Sequence, residues 1–176
     1  MKKQFGLTML ELLVVMVIVA ILASVAVPSF NETTKRNRMT ANANEILSVL
    51  QLARAEALRR GGRVVVAASD GADWVNGVRL YFDVVNDNNF VDTDDEEIRI
   101  IGGFSDGAMI SANGGSEALV FDSRGFVQPL DTDGTSGAIA NAIEVLKICD
   151  DREGETGRNI NILISGSVYI SDADDC

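Results

Sequence analysis

The chain has 176 residues, 47% of them hydrophobic, and its 26 Asp+Glu outnumber 15 Lys+Arg, for a formal net charge of −11. A surface that acidic is repelled by nucleic-acid phosphates and by anionic lipid unless its charge is locally segregated. The absence of histidine removes serine–histidine triads, histidine-based zinc sites and most imidazole acid–base chemistry. An enzyme is therefore not expected.

The first predicted element is an apolar run over 7–27, in which only Thr8, Glu11 and Ser24 carry polar side chains. It follows a short basic stretch with Lys2 and Lys3 and is closed by Pro28. About 20 apolar residues in a helix rise roughly 30 Å, enough to cross a bilayer. A secretory signal peptide is the rival reading. Its apolar core usually holds about 7–15 residues and ends at a small-residue cleavage site, whereas this run is longer and Ala23-Ser24-Val25-Ala26 is a poor site. Glu11 separates the two readings. A carboxylate inside a spanning helix costs about 2.5–3.5 kcal/mol even on the lenient insertion scale, so it calls for a function.

The segment Gly6-Leu7-Thr8-Met9-Leu10-Glu11 resembles the class III signal of type IV pilins and pseudopilins. The resemblance implies cutting by a prepilin peptidase after Gly6, N-methylation of the new terminus at Leu7, and a glutamate, Glu11, at the fifth mature position. Phe is usual where this chain has Leu7. A buried carboxylate needs a cationic partner, and the resemblance supplies one: the amine of a neighbouring subunit in the filament. The plainer alternative is a glutamate solvated at headgroup level. Lys2 and Lys3 favour a cytoplasmic N-terminus, but Lys35, Arg36 and Arg38 follow the span, so charge alone does not set the topology. The resemblance places the C-terminal domain in the periplasm, on a single-pass inner-membrane anchor. Loss of the leader would take the side-chain net charge from −11 to −13.

Past Pro28, residues 31–60 hold no Gly or Pro. Ile46, Leu47, Leu50, Ala53, Ala57 and Leu58 recur at helical spacing, while Arg54, Glu56 and Arg59 fall largely elsewhere. Gly61-Gly62 is a stop signal. One helix over 7–60 is predicted, its part over about 7–28 in lipid, with Pro28 kinking rather than ending it. From 61 onward, short β-like runs are separated by Gly-, Asn- and Asp-rich turns. Strands are predicted at 63–68, 77–83, 97–101, 118–122, 125–128, 143–149, 159–164 and 168–170. The expected class is α+β: a long helix packed on an antiparallel sheet or sandwich. The organisation is a leader over 1–6, the helix over 7–60 and a β-rich periplasmic or extracellular domain over 61–176, without an internal repeat.

The globular part narrows the resemblance. Leu52-Ala53-Arg54-Ala55-Glu56-Ala57-Leu58-Arg59-Arg60-Gly61, Trp74-x-x-Gly77, Phe82-Asp83, Glu97-Ile98-Arg99, Phe121-x-x-x-Gly125 and the stretch from Ile148-Cys149-Asp150 to Arg158 together are similar to the GspH/FimT group of pilin-like proteins. Each motif alone is weak, and their order carries the likeness. The resemblance implies a structural subunit near a filament tip: a FimT/FimU-type minor pilin of a type IV pilus. The alternative is the GspH-type pseudopilin of type II secretion. Implied partners are prepilin peptidase, other minor pilins, the major pilin and the inner-membrane assembly platform.

Cys149 and Cys176 are the two cysteines. In an exported domain they suggest a disulfide, the alternative being two unrelated thiols, and terminal cysteine pairs are familiar among pilins. The loop over 83–97, from Asp83 to Glu97, offers Asp87, Asn89, Asp92, Asp94 and Asp95 as hard oxygen ligands for calcium. Its spacing does not match an EF-hand, and a solvated hairpin tip is the favoured reading, so no cofactor is expected. Calcium here is the weaker alternative, and a contact surface for a neighbouring subunit is a further use of the same loop. Some FimT-type relatives bind DNA through a basic C-terminal patch. Here Gly166-Ser167-Val168-Tyr169 and an acidic tail stand at that place, with only Arg152 and Arg158 nearby. Nucleic-acid binding by a competence pilin is thus the weakest of the three functions.

Overall fold

A computed structural model describes residues 8–84, 95–104, 107–112, 118–130, 143–152, 154–174 and 176. The chain divides into two compact units, 1–37 and 38–176. A single helix, α1 (Met9–Arg60), supplies the first unit's described residues and opens the second.

In the first unit, Pro28 lies inside the helix without ending it. The apolar side chains from Met9 to Phe30 are exposed, at 94% for Met9 and 72% for Phe30. An 18-residue window here has mean hydropathy 2.9 and none of it is buried, so length and composition suffice for a membrane crossing. Polar side chains turn back on the helix: Ser24 Oγ donates to Ile21 O at 2.7 Å and Thr33 Oγ1 to Ser29 O at 3.0 Å. Such internal bonds satisfy hydroxyls that lipid would leave unpaired.

In the second unit, Met39, Ala43, Ile46, Val49, Leu50, Ala53 and Ala57 form the buried stripe of α1. Their spacing of three and four residues keeps one face toward the core. Gly61 ends the helix at φ +67°, and its N–H donates to Ala57 O at 2.9 Å, a left-handed cap that glycine adopts without a Cβ penalty.

Among the described residues nine strands follow: β1 (Arg63–Ala68), β2 (Val78–Asp83), β3 (Glu96–Ile101), β4 (Met109–Ala112), β5 (Ala118–Phe121), β6 (Val127–Leu130), β7 (Ile143–Cys149), β8 (Gly157–Leu163) and β9 (Val168–Ala173). One sheet has order β3-β2-β1-β5-β6, the other β4-β7-β8-β9, and every pairing is antiparallel. Val64, Val66, Leu80, Leu119 and Phe121 of the first sheet and Ile110, Leu146, Ile148, Ile160 and Ile162 of the second share one core with the helix stripe. The first sheet's other face holds a second buried cluster, with Val65, Ala67, Tyr81, Ala118 and Val120. Burial on both faces explains why β1 reads as an unbroken apolar run rather than an alternation.

The expected α+β class and the helix on antiparallel sheets agree with this architecture. The strand at Met109–Ala112 and a 3-10 turn at Trp74–Asn76 were not foreseen. The run predicted at 125–128 is shifted, because Asp122–Gly125 forms the turn: Gly125 N donates to Asp122 O at 2.8 Å with φ +78°. The strand predicted over 168–170 extends to Ala173, paired through Gly157.

Candidate functional site

Three places are of interest, the first two holding residues with an expected role. At the start of α1, Glu11 is exposed and its N–H donates to Thr8 Oγ1 at 3.2 Å. Leu12 N donates to Thr8 O at 3.2 Å. Thr8 is thus placed as the helix N-cap, at the spacing to Glu11 that a capping box uses. This helix-start role of Thr8 was contained in the sequence pattern and passed over in the reading by resemblance. A carboxylate in the first turn is also favoured by the helix dipole. Gly6 and Leu7 lie outside the described residues.

At the far end, Cys149 and Cys176 form a disulfide with Cα atoms 5.5 Å apart. It ties the end of β7 to the chain just past β9, across the intervening strand β8. Gly157 sits beneath it: a Cβ there would collide with Cys176 Sγ and with Ile148 O, the latter at 2.7 Å. This requirement for glycine has no local sequence signal, since it arises from Ile148 and Cys176, which are distant in the chain.

The third place is the end of α1. Arg60 donates from Nε to Glu56 at 2.8 Å and forks onto Glu96 of β3 at 2.7 and 3.1 Å. Its guanidinium lies 5.2 Å from the centroid of the Phe82 ring. The Arg59 and Arg60 hydrogen bonds hold Glu56 below the usual carboxylate range, and Arg60 does the same for Glu96.

Of the acidic loop, residues 85–94 lie outside the described residues, including Asp87, Asn89, Asp92 and Asp94. Its flanks are engaged: buried Asp83 pairs with Arg63 at 3.3 Å, and Asp95 Oδ1 accepts from Val84 N at 3.2 Å. Among the described residues no group of three or more acidic or Cys side chains is placed to hold a metal. Arg152 and Arg158, the cations expected near Gly166, are neutralised within the domain; Arg158 stands at the other end of the β8–β9 hairpin from that turn, and the arginine beside Gly166 is Arg54. Arg152 pairs with Asp150 at 2.7 Å and Arg158 with Asp172, which weakens any phosphate attraction there.

These features meet known proteins at both ends of the chain. The family profile "Type II transport protein GspH" matches residues 42–167, and the "Prokaryotic N-terminal methylation motif" matches residues 1–27. The chain belongs to the GspH family.

Solved relatives agree with the fold. The crystal structure of the type IV minor pilin FimU from Pseudomonas aeruginosa PAO1 in space group P21 superposes at TM-score 0.61 and 21% identity, covering 81% of this chain and 98% of that one. Its P65 form gives 0.57 at 20% identity, covering 78% and 98%. A "Fimbrial protein" of Pseudomonas aeruginosa is 36% identical over 69 residues, 39% of this chain. The match spans 44% of that relative's length. The GspH-family domain thus stands on a pilin fold, behind a methylation-motif helix long and apolar enough to cross a membrane.

Proposed function

We propose that this chain is a minor pilin of a type IV pilus, a structural subunit without a catalytic role. It helps prime assembly and sits at or near the filament tip, with twitching motility, adhesion or DNA uptake downstream. Prepilin peptidase cuts after Gly6 in the inner membrane, and Leu7 is then methylated. The β-rich domain waits in the periplasm until the assembly platform inserts the subunit beside other minor pilins and the major pilin. Glu11 carries assembly, its charge met by a neighbour's amine once lipid is left behind. The observation that carries this reading is the exposed apolar helix with one carboxylate near its start, joined to a domain whose fold follows FimU over 98% of that chain.

The second reading is a pseudopilin of type II secretion, favoured by the description of the matching family profile. Peptide mass spectrometry of sheared surface filaments separates the two. A peptide beginning at methylated Leu7, at low abundance relative to the major pilin, supports the minor pilin. The same peptide confined to the cell envelope supports the pseudopilin. An intact leader in both fractions overturns both.

A further inference from the structure

The C-terminal half of α1 and the turn joining β8 to β9 enclose an open groove of about 400 Å³. Gln51, Arg54, Ala55 and Leu58 form its helix wall, and the other wall is the turn segment 166–168. Gly166 has φ +75°, and a Cβ there would overlap the Gly125 carbonyl oxygen, so the turns before β6 and β9 meet backbone to backbone. Val127 N donates to Ile164 O at 2.9 Å beside them. Leu58 is 51% exposed, and Phe126 and Ile164 leave further apolar surface uncovered on these turns.

Arg54 distinguishes this groove from an ordinary surface dent. Its Nη2 donates to Ser165 O at 2.9 Å, while Nε is buried without an acceptor. Arg59, Arg60, Arg63, Arg124, Arg152 and Arg158 each pair with a carboxylate. Among the described residues no carboxylate pairs with Arg54 or with Arg79, whose Nε is also buried without an acceptor, and of these two Arg54 lines the groove. In a chain with 26 acidic residues, a cation left without one at the edge of an apolar cleft is complementary to an acid brought from outside. The helix wall spans two turns, and Arg54 and Leu58 stand one turn apart, the spacing at which another helix presents neighbouring side chains. Ala55 between them lets a backbone approach closely.

We propose that this groove seats a helix of a neighbouring subunit that carries a carboxylate one turn from an apolar side chain. The carboxylate engages Arg54, and the apolar group fills the space between Leu58 and Val168. The inference rests on the filament reading above, because that reading supplies helical neighbours.

The test uses the full chain in cells, with the photoreactive residue p-benzoylphenylalanine in place of Ala55 and, as a control, in place of exposed Glu45. Crosslinked peptides are mapped by mass spectrometry. The expected product at position 55 is an acid-bearing helical peptide of another pilin-like subunit. Arg54→Glu should lower its yield about tenfold or more, and a compensating acid-to-Lys change in the mapped peptide should restore it. Arg54→Gln, which keeps a donor for Ser165 O, should also lower the yield while the domain stays folded. Equal yields at 55 and 45, a mapped peptide without an acid, or no loss in either Arg54 variant overturns the groove assignment. If the expected crosslink forms while the processed chain is absent from sheared filaments, the groove stands and the pilus reading falls.

Discussion

Replacing both Cys149 and Cys176 by serine should destabilise the globular unit by about 3.5 kcal/mol. The bond closes a loop with a sequence separation of 27, and the chain-entropy relation gives roughly that figure for a loop of this length. The native state has little reason to change. β9 is already held to β8 by six register pairs, from Gly157↔Ala173 to Ile162↔Val168, so the effect lies in freeing the unfolded chain. Trp74, the single tryptophan, is buried in the main core and reports unfolding by fluorescence. Urea titration of the full chain in mild detergent should show a lower midpoint with an unchanged native spectrum. The thermal midpoint should fall by roughly 10 °C. A loss below about 1 kcal/mol, or a variant whose folded spectrum is already altered, would refute the loop-entropy reasoning.

Gly166→Ala should be more damaging than an exposed turn substitution usually is, because it adds left-handed strain at φ +75° and forces the two turns apart. A loss of about 2 kcal/mol or more in urea midpoints is expected, and a change within about 0.5 kcal/mol would contradict the close approach. Glu56 and Glu96 are held below their ordinary pKa of 4.5 by Arg59 and Arg60, and Asp70 is lowered by the Asp73 and Ala72 amides and by Asn76. Such carboxylates stabilise the fold fully above their unfolded pKa, and that contribution is lost as pH falls through the lower folded value. Stability should therefore be flat in these groups near neutrality and fall below about pH 4.5, and Glu56→Gln with Glu96→Gln should shallow that acid limb in urea titrations. Glu11→Gln should leave leader cleavage intact and deplete the chain from sheared filaments, as read by immunoblot. Normal incorporation would remove Glu11 from the assembly role.

Much of this fold was legible because it follows from local chemistry. The continuous helix past Pro28, its stop at Gly61 and the strands at Arg63–Ala68 and Ile143–Cys149 came from periodicity, glycine placement and β-branched runs. The methylation motif was legible through the resemblance of residues 6–11 to the pilin signal, and the lone carboxylate in a spanning run pointed the same way by calling for a function. Met109–Ala112 escaped because four residues with an unremarkable composition become a strand only by pairing with β7. The groove escaped for a related reason. Arg54 reads as the polar face of an amphipathic helix, and its environment is set by two turns distant in the chain, at Gly125 and Gly166.

On the filament reading proposed above, the same contrast separates two kinds of contact between subunits. The first unit offers an apolar helix with Glu11 as the sole charge in its span, which suits a common packing scheme shared by any subunit with the same motif. The second unit is where partner choice can reside, because six of its arginines are already engaged by the domain's own carboxylates. Arg60 joins helix to sheet through Glu56 and Glu96, Arg63 meets Asp83, and Arg158 meets Asp172. Against that background Arg54 is a half-buried cation without an acid that lines an open cleft, and exposed surface pairs elsewhere contribute little to affinity. If neighbour recognition has an electrostatic component, it should therefore concentrate at Arg54. Arg124→Glu, which alters an exposed cation already paired with Asp122 at 2.8 Å, should leave incorporation near wild type while Arg54→Glu abolishes it. Equal losses in the two variants would mean that overall charge, not this cleft, selects the neighbour.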